Sequence, residues 1–564
     1  VSRSDVVCGL KLTHDGAVAV IGGTRLVASV EAEKIGNRPR HSALDDAAEI
    51  VRELARNGFG PDAIDRVAVD GWAAEQDGPP AVGFTVLDGR RIALPVAGYA
   101  DEPGPPAPPA AFSGTRPVLG ERGPRGYAGY THATGHLLSG YCTSPFAKEG
   151  RAALGIVWDG GMPPFLYLVD PREPAITPIG ALTGVSGALY PVFASHFAPF
   201  RVDRRTADPD RRFGMEALFP VSGKAMAYAS LGKPIEAAVD RFEEVTAATA
   251  PATTPMRCYQ WSARALRRVR PLGLSDAELL ASFQEALYRG LERGLREVFA
   301  ARPELAGLPL CVSGGCGLNI KWNARLRGSG LFPDVWVPPF PNDAGSAIGA
   351  ACAEMARTTG KFALEWTEFA GPPVRWDGEV PEGWSAQPCD VAGLAALLAR
   401  TGEPVVVVTG RAELGPRALG RRSIIAPATD PAMRDRLNEI KGRESYRPVA
   451  PICLEHCAPE VFDPGTRDPY MVFDHTIRPG WQDRVPAIVH VDGSARLQTV
   501  GPDNQPAHEL LSCYERLTGI PVLCNTSANF SGRGFFPDPG SAMSWGGVSS
   551  VWSEGTLYRR DGRQ

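Results

Sequence analysis

The sequence predicts an α/β protein with a duplicated N-terminal domain and a separate C-terminal α/β domain. Three observations lead there. The strand–turn–strand unit that opens the chain recurs near residue 152. The 564 residues exceed what one core holds, which argues for two to four domains. A fresh strand pattern, rich in arginine and glycine, begins after about residue 389.

In the first unit, Val6–Leu10, Ala17–Ile21 and Leu26–Val30 are apolar strands. The polar His14-Asp15-Gly16 and the tight Gly22-Gly23 turn separate them, as in a β-meander. Residues 44–57 read as an amphipathic helix, with Leu44, Ala47, Ile50, Val51 and Leu54 on one side. Residues 77–126 are rich in Pro and Gly and read as an irregular insertion that shapes a substrate pocket. The second unit is Ala152–Trp158, Asp159-Gly160-Gly161 and Phe165–Val169. Two copies of one unit predict a ligand between two halves, as in the nucleotide-binding actin and sugar-kinase architecture. A long helix over about 275–300 carries Leu279, Phe283, Ala286, Leu287, Leu291 and Leu295 at helical spacing. The expected boundaries are 1–365 for the N-terminal domain, 366–388 for a linker and 389–564 for the C-terminal domain, whose first buried strand is Pro404–Val408.

Hydrophobic content of 44% and charged content of 22% are ordinary for a globular chain. The net charge of -4 argues against a protein that coats nucleic acid. The 11 cysteines form no Cys-x-x-Cys pair, which suits a reduced cytoplasm. No apolar run approaches the roughly 20 residues that span a bilayer.

Several motifs carry chemistry. His132 and His136 stand four apart on a predicted helix and project to one side, a spacing that can grip one metal ion. Asp159 and Asp343 lie in glycine turns at strand ends, where α/β sheets collect ligands. Two imidazoles and two carboxylates suit Fe(II), Mn(II) or Zn(II). His14, with an adjacent acid, is a candidate general base. Ser313-Gly314-Gly315-Cys316-Gly317-Leu318-Asn319 joins a strand to a helix, so its backbone N–H groups are candidate phosphate contacts. Lys224 is a further candidate in the same cleft, against the simpler reading of a solvated lysine. In the C-terminal domain, Arg417, Lys441, Arg447 and Arg496 gather around glycine turns, and Asn525 and Ser527 end an apolar strand. Such a set suits a triphosphate.

Taken in order, these motifs resemble the O-carbamoyltransferases of natural-product biosynthesis, the nodulation-factor, cephem, aminoglycoside and ansamycin group. The resemblance rests on His14-Asp15-Gly16-Ala17, His132-x-x-x-His136, Trp158-Asp159-Gly160, Gly314-Gly315-Cys316-x-Leu318-Asn319 and Asn342-Asp343-x-Gly345. In the second half it rests on Gly415-Pro416-Arg417-Ala418-Leu419-Gly420-x-Arg422-Ser423, Arg447-Pro448, Arg496-x-Gln498 and Asn525-Thr526-Ser527. It implies a Kae1-like, actin-type (ASKHA) N-terminal domain and a YrdC-like C-terminal domain. It implies that carbamoyl phosphate and ATP with Mg2+ form carbamoyl-adenylate in the C-terminal domain. The carbamoyl group then passes to a small-molecule hydroxyl in the N-terminal domain, with a macrocyclic polyketide or its deoxysugar favoured. Carried over, His132, His136, Asp159 and Asp343 hold Fe(II). Arg417, Lys441, Arg447, Arg496 and Ser527 contact ATP and carbamoyl phosphate, and His14 is the base. A cytoplasmic homodimer, with no nucleic-acid or membrane partner, is also implied. Relatives place a histidine where this chain has Thr131.

Three other readings share parts of this pattern. A tRNA threonylcarbamoyl-transfer enzyme has both domain types but needs a basic surface. An ATP-binding actin-like scaffold has no use for the second arginine-rich domain. A small-molecule kinase would yield ADP rather than AMP.

Overall fold

The computed structural model describes residues 5–72, 79–202 and 215–561. β1 (Val6–Lys11), β2 (Ala17–Gly22) and β3 (Arg25–Glu31) form the antiparallel meander, and Gly23 takes the positive φ its turn requires. The amphipathic segment folds as α1 (Ala47–Arg56), begun by Asp46, whose carboxylate accepts the Ala48 and Glu49 N–H groups. β4 (Arg66–Asp70) lies parallel to β1.

The 77–126 stretch differs from its reading as an irregular insertion. It holds a hairpin of β5 (Ala81–Thr85) and β6 (Arg91–Pro95), and β7 (Phe112–Gly114) then pairs with β8 (Tyr127–Tyr130) at the sheet edge. Prolines and glycines dilute the alternation by which these short strands would be recognised. Residues 77 and 78 lie outside the described residues.

α2 (His132–Cys142) follows β8. The second half then repeats the first. β9 (Ala153–Asp159), β10 (Met162–Asp170) and β11 (Ala175–Ala181) are antiparallel, and β12 (Leu310–Ser313) and β13 (Val335–Trp336) run parallel beside β9. The order β11-β10-β9-β12-β13 matches β3-β2-β1-β4-β8 in sequence and polarity. The helix Ser346–Thr359 follows β13 as α2 follows β8.

These two helices are exchanged between the halves. α2 packs on β9 and β12 of the second sheet, and Ser346–Thr359 packs on β1, β2 and β4 of the first. They meet at glycines: a Cβ at Gly349 would lie 1.7 Å from the Gly135 carbonyl oxygen. Between β11 and β12 the chain inserts helices, including Glu236–Ala247, Pro255–Val269 and Asp276–Ala301. Phe193, Phe242, Trp261 and Phe283 form their aromatic core. The Asp276–Ala301 helix, the one its periodicity marked, opens with a Ser275/Glu278 capping box.

The C-terminal domain is built on an eight-stranded sheet. Its strands are β14 (Trp384–Pro388), β15 (Val405–Val408), β16 (Arg422–Pro427), β17 (Ala450–Leu454), β21 (Gln498–Val500), β22 (Val522–Ser527), β23 (Ser550–Ser553) and β24 (Thr556–Arg560), with β18 (Phe462–Asp463), β19 (His475–Ile477) and β20 (Ser494–Ala495) forming a small side sheet. β14 falls inside the stretch read as linker, because Trp384–Pro388 pairs along β24. The stretch before it is fastened to both domains: Ser29 N–H donates to the Ala370 carbonyl, and Val374 N–H donates to that of Gly410. All eleven cysteines are free thiols. Among the described residues, no helix is long and apolar enough to cross a membrane.

Candidate active site

The duplicated halves meet where β1, β4 and β9 end beside α2 and the turn before Ser346–Thr359. The structure brings His132, His136, Asp159 and Asp343 together there, all buried, with one ligand atom from each within 4.8 Å of the others. The two Nε2 atoms are 3.1 Å apart. Asp343 oxygens lie 3.5 Å from each Nε2, and Asp159 oxygens lie 3.7 and 3.8 Å away. Burial works against the Asp343 charge, yet Lys11, His132 and His14 hold its carboxyl well below the usual range. Burial and Asp343 likewise oppose ionisation of Asp159, and His132 and His136 overcome them.

This donor set fits a divalent ion. Four buried nitrogen and oxygen donors converge and, among the described residues, His136 Nδ1 has no hydrogen-bond partner. Asp70, at the end of β4, lies 2.7 Å from His132 Nδ1. A carboxylate there favours the proton on Nδ1 and leaves the Nε2 lone pair for a metal. Gly135 makes room for it, since a Cβ would lie 2.6 Å from Asp70 Oδ1. Lys11 bridges the acids, with Nζ 3.3 Å from Asp70 and 3.0 Å from Asp343. Tyr99, from the 77–126 stretch, donates its hydroxyl to Asp159 Oδ2.

His14 Nδ1 lies 3.4 Å from Asp343 Oδ2 and 3.6 Å from Asp15 Oδ2. His41 Nδ1 lies 3.0 Å from Asp15 Oδ1. Trp72 and Phe219 pack edge-on against His14, with centroids 5.1 and 4.7 Å away. The half-buried His14 therefore sits among aromatic rings beside the buried cluster.

The Gly314–Asn319 turn does something other than expected. Gly314 has φ of 87°, and a Cβ there would lie 2.3 Å from the Trp158 carbonyl oxygen. Gly315 N–H donates to Asp159 Oδ1 at 2.6 Å. Asn319 caps the helix Ile320–Gly328, accepting the Trp322 N–H. Gly315 thus orients Asp159, and Asn319 starts a helix. Lys224 is paired with Glu444 at 2.9 Å across the domain junction. Thr131 caps α2 and donates to Asp101 Oδ1.

In the C-terminal domain a second site forms. Burial lowers the Arg417 guanidinium far below its ordinary value, and Arg496, Arg447 and Arg40 lower it further. Burial and then Arg447 and Arg496 act the same way on Arg443, held at about 9. Among the described residues, no hydrogen bond reaches the Nε atoms of Arg417 or Arg496. Lys441 Nζ donates to the Ser527 carbonyl at 2.8 Å and to Asn529 O and Oδ1 at 2.7 and 2.6 Å. Asn525 Nδ2 donates to the Ala418 carbonyl at 2.8 Å, which ties β22 to the Arg417 turn. By contrast, Arg421 and Arg422 are structural: Arg421 stacks on Phe369, and buried Arg422 donates to the Thr409 and Gly410 carbonyls.

Sequence reasoning missed Asp70, Lys11, Tyr99 and Arg40. Asp70-Gly71 ends an apolar strand as Asp159-Gly160 does, a signal that could have found it. Lys11 is a charge closing an apolar strand. Tyr99 carries no local signal.

A buried imidazole–carboxylate cage in one domain and a cluster of arginines and a lysine in the other mark an α/β enzyme. The comparisons agree. "Carbamoyltransferase N-terminus" matches residues 6–79 and 124–352, and "Carbamoyltransferase C-terminus" matches 395–550. The chain belongs to the carbamoyltransferase family and is a transferase. It is 44% identical over 571 residues to nodulation protein U of Rhizobium tropici, covering 98% of this chain and 96% of that one. It is 35% identical over 568 residues to 3'-hydroxymethylcephem-O-carbamoyltransferase of Streptomyces clavuligerus, covering 98% and 99%.

Proposed function

We propose that this chain is an ATP-dependent O-carbamoyltransferase with an actin-type, Kae1-like delivery domain and a YrdC-like activating domain. The observation that carries the reading is the C-terminal pocket. Arg417 and Arg496 sit half-buried beside Arg443 and Arg447 and, among the described residues, no hydrogen bond reaches their Nε atoms. Cations packed this way repel one another until a polyanion arrives, and ATP with carbamoyl phosphate is such a ligand. Atom balance sets the chemistry. Carbamoyl phosphate and water give carbamate and phosphate, a carbamate oxygen attacks the α-phosphorus of ATP, and pyrophosphate leaves.

In the N-terminal domain His132, His136, Asp159 and Asp343 would hold a divalent ion, Fe(II) by resemblance. When bound, such an ion supplies Lewis acidity toward the carbamoyl carbonyl. His14 takes the acceptor hydroxyl proton as its oxygen attacks the carbamoyl carbon and AMP departs. Asp15 and Asp343 beside Nδ1 stabilise the imidazolium that results. Trp72 and Phe219 form an apolar wall suited to a ring-bearing acceptor, with a macrocyclic polyketide or its deoxysugar favoured.

The test is pyrophosphate release from purified protein given ATP and carbamoyl phosphate, followed by mass spectrometry of candidate acceptors for one added carbamoyl group. Release that depends on both substrates supports the reading. Production of ADP in place of AMP would replace it with a kinase.

A further inference from the structure

Lys34 belongs to the N-terminal domain, yet its ammonium is sealed beneath the C-terminal domain, leaving the residue 3% exposed. It ends the short turn Ala32–Lys34 that follows β3. Its Nζ donates to Glu31 Oε1 at 2.8 Å, to the Glu413 carbonyl at 2.5 Å and to the Gly415 carbonyl at 2.8 Å. The same Glu31 oxygen accepts the Gly415 N–H at 2.8 Å. One buried ion pair thus holds both backbone polar groups of a glycine in the other domain.

The far end of that turn is held as well. Glu413 Oε1 accepts the N–H groups of Leu419, Arg421 and Arg422 at 2.8, 2.7 and 3.0 Å. Gly415 has φ of 79°, and a Cβ there would lie 2.1 Å from the Pro339 carbonyl oxygen. The turn is therefore anchored at its start by Glu31 and Lys34 and closed on itself by Glu413. Between the anchors stands Arg417, whose Nε finds no hydrogen-bond partner among the described residues. A side chain with so little hold on the protein goes where its backbone aims it.

We propose that Glu31 and Lys34 are positioning residues for the anion pocket, fixing the Glu413–Arg422 turn so that Arg417 meets the phosphate of carbamoyl phosphate. The proposal rests on the activation reading above. It makes the N-terminal domain a structural part of the activating site and not only the place of delivery.

The experiment compares the full wild-type chain with Glu31→Gln/Lys34→Met, with Arg417→Met and with the triple variant. Removing both charges together leaves neither buried alone. Titration calorimetry measures the Kd for carbamoyl phosphate. The pair variant is expected to weaken binding about 10-fold or more, the scale of a charge-assisted contact. In the Arg417→Met background the same pair should add less than about 2-fold, because coupled residues are not additive. A folded pair variant with wild-type Kd overturns the proposal. So does a full additive loss in the triple variant, which would mean that the clamp supports the fold and not Arg417. If the pair variant does not fold, Glu31→Gln alone weakens only the hold on Gly415, and the same two outcomes decide. A wild-type chain that binds carbamoyl phosphate but releases no pyrophosphate would remove the activation reading and leave the clamp standing. A wild-type chain that neither binds carbamoyl phosphate nor releases pyrophosphate overturns both.

Discussion

Asp70 stands behind His132: its Oδ2 lies 2.7 Å from Nδ1, on the side of the ring opposite His136 and the two ligand carboxylates. The contact fixes both tautomer and ring angle before any metal arrives. Asp70→Asn should therefore lower divalent-ion affinity by about 10–100-fold with little change in secondary structure. Competition against a chelator, with metal content measured on the desalted protein, checks this. Unchanged affinity would mean that the histidine is oriented by its helix alone.

Arg417 sets binding against stability. It is half-buried among like charges, so Arg417→Met should raise the melting temperature by about 1–2 °C. The same change should raise the KM for carbamoyl phosphate about 10–100-fold. Differential scanning fluorimetry beside a pyrophosphate assay reads both quantities. A fall in melting temperature would show that the arginine has a structural partner after all.

His14→Asn keeps the ring's polarity but removes its basicity. Carbamoyl transfer should fall by about 10²–10⁴-fold while pyrophosphate release in the absence of acceptor is unchanged. Loss of both activities would contradict the division of labour between the domains.

Asp15 links His14 and His41. Burial alone would push its carboxyl up, but hydrogen bonds from both imidazoles hold it at about 2 against an ordinary 3.8. A depressed carboxyl contributes stability above its unfolded value that disappears as the pH falls through the folded one. The contribution is about 2 kcal/mol above pH ~4, declining toward pH 2. His41 is the converse: burial opposes its charge, Asp15 raises it, and its contribution is lost as the pH rises past its elevated value. Asp15→Asn should thus lose most stability near pH 5 and converge on wild type in acid. Urea midpoints from pH 3 to 7 give the comparison, and a difference independent of pH would exclude the ion-pair origin.

Gly349→Ala places a methyl 1.7 Å from the Gly135 carbonyl oxygen. The helices must separate, at a cost of about 1–3 kcal/mol. Because Gly135 lies between the two ligand histidines, metal affinity should fall along with the melting temperature. A fall in melting temperature alone would show that the ligand cage tolerates helix displacement.

Much of this site was legible in the sequence for a definite reason. His132 and His136 are related by helix geometry, and Asp159 by a strand that runs into glycines, so local spacing carries their placement. The duplication was visible because strand–turn–strand patterns are also local. Asp70, Lys11 and Tyr99 reach the cage from three other segments, and only the folded sheet order brings them together. Gly314 was ambiguous because a glycine that avoids the Trp158 carbonyl looks the same in sequence as one that admits a phosphate. β14 escaped because one edge strand in a Pro-rich stretch has no periodicity to mark it. The Arg417 cluster showed its composition but not its sorting: the sequence could not say that Arg422 is buried and bonded to backbone carbonyls while, among the described residues, no hydrogen bond reaches Arg496 Nε.

The exchange of helices between the halves bears on how the protein is made. α2 covers a sheet whose strands β12 and β13 come from residues 310–336, and the first sheet waits for the helix at 346–359. On the ribosome, the second half cannot bury its apolar face until about residue 336 has emerged, nor the first until about residue 359. The nascent chain must therefore hold β1 to β4 half-covered through most of translation. Truncation anywhere before Thr359 should yield an insoluble product in place of a smaller folded unit.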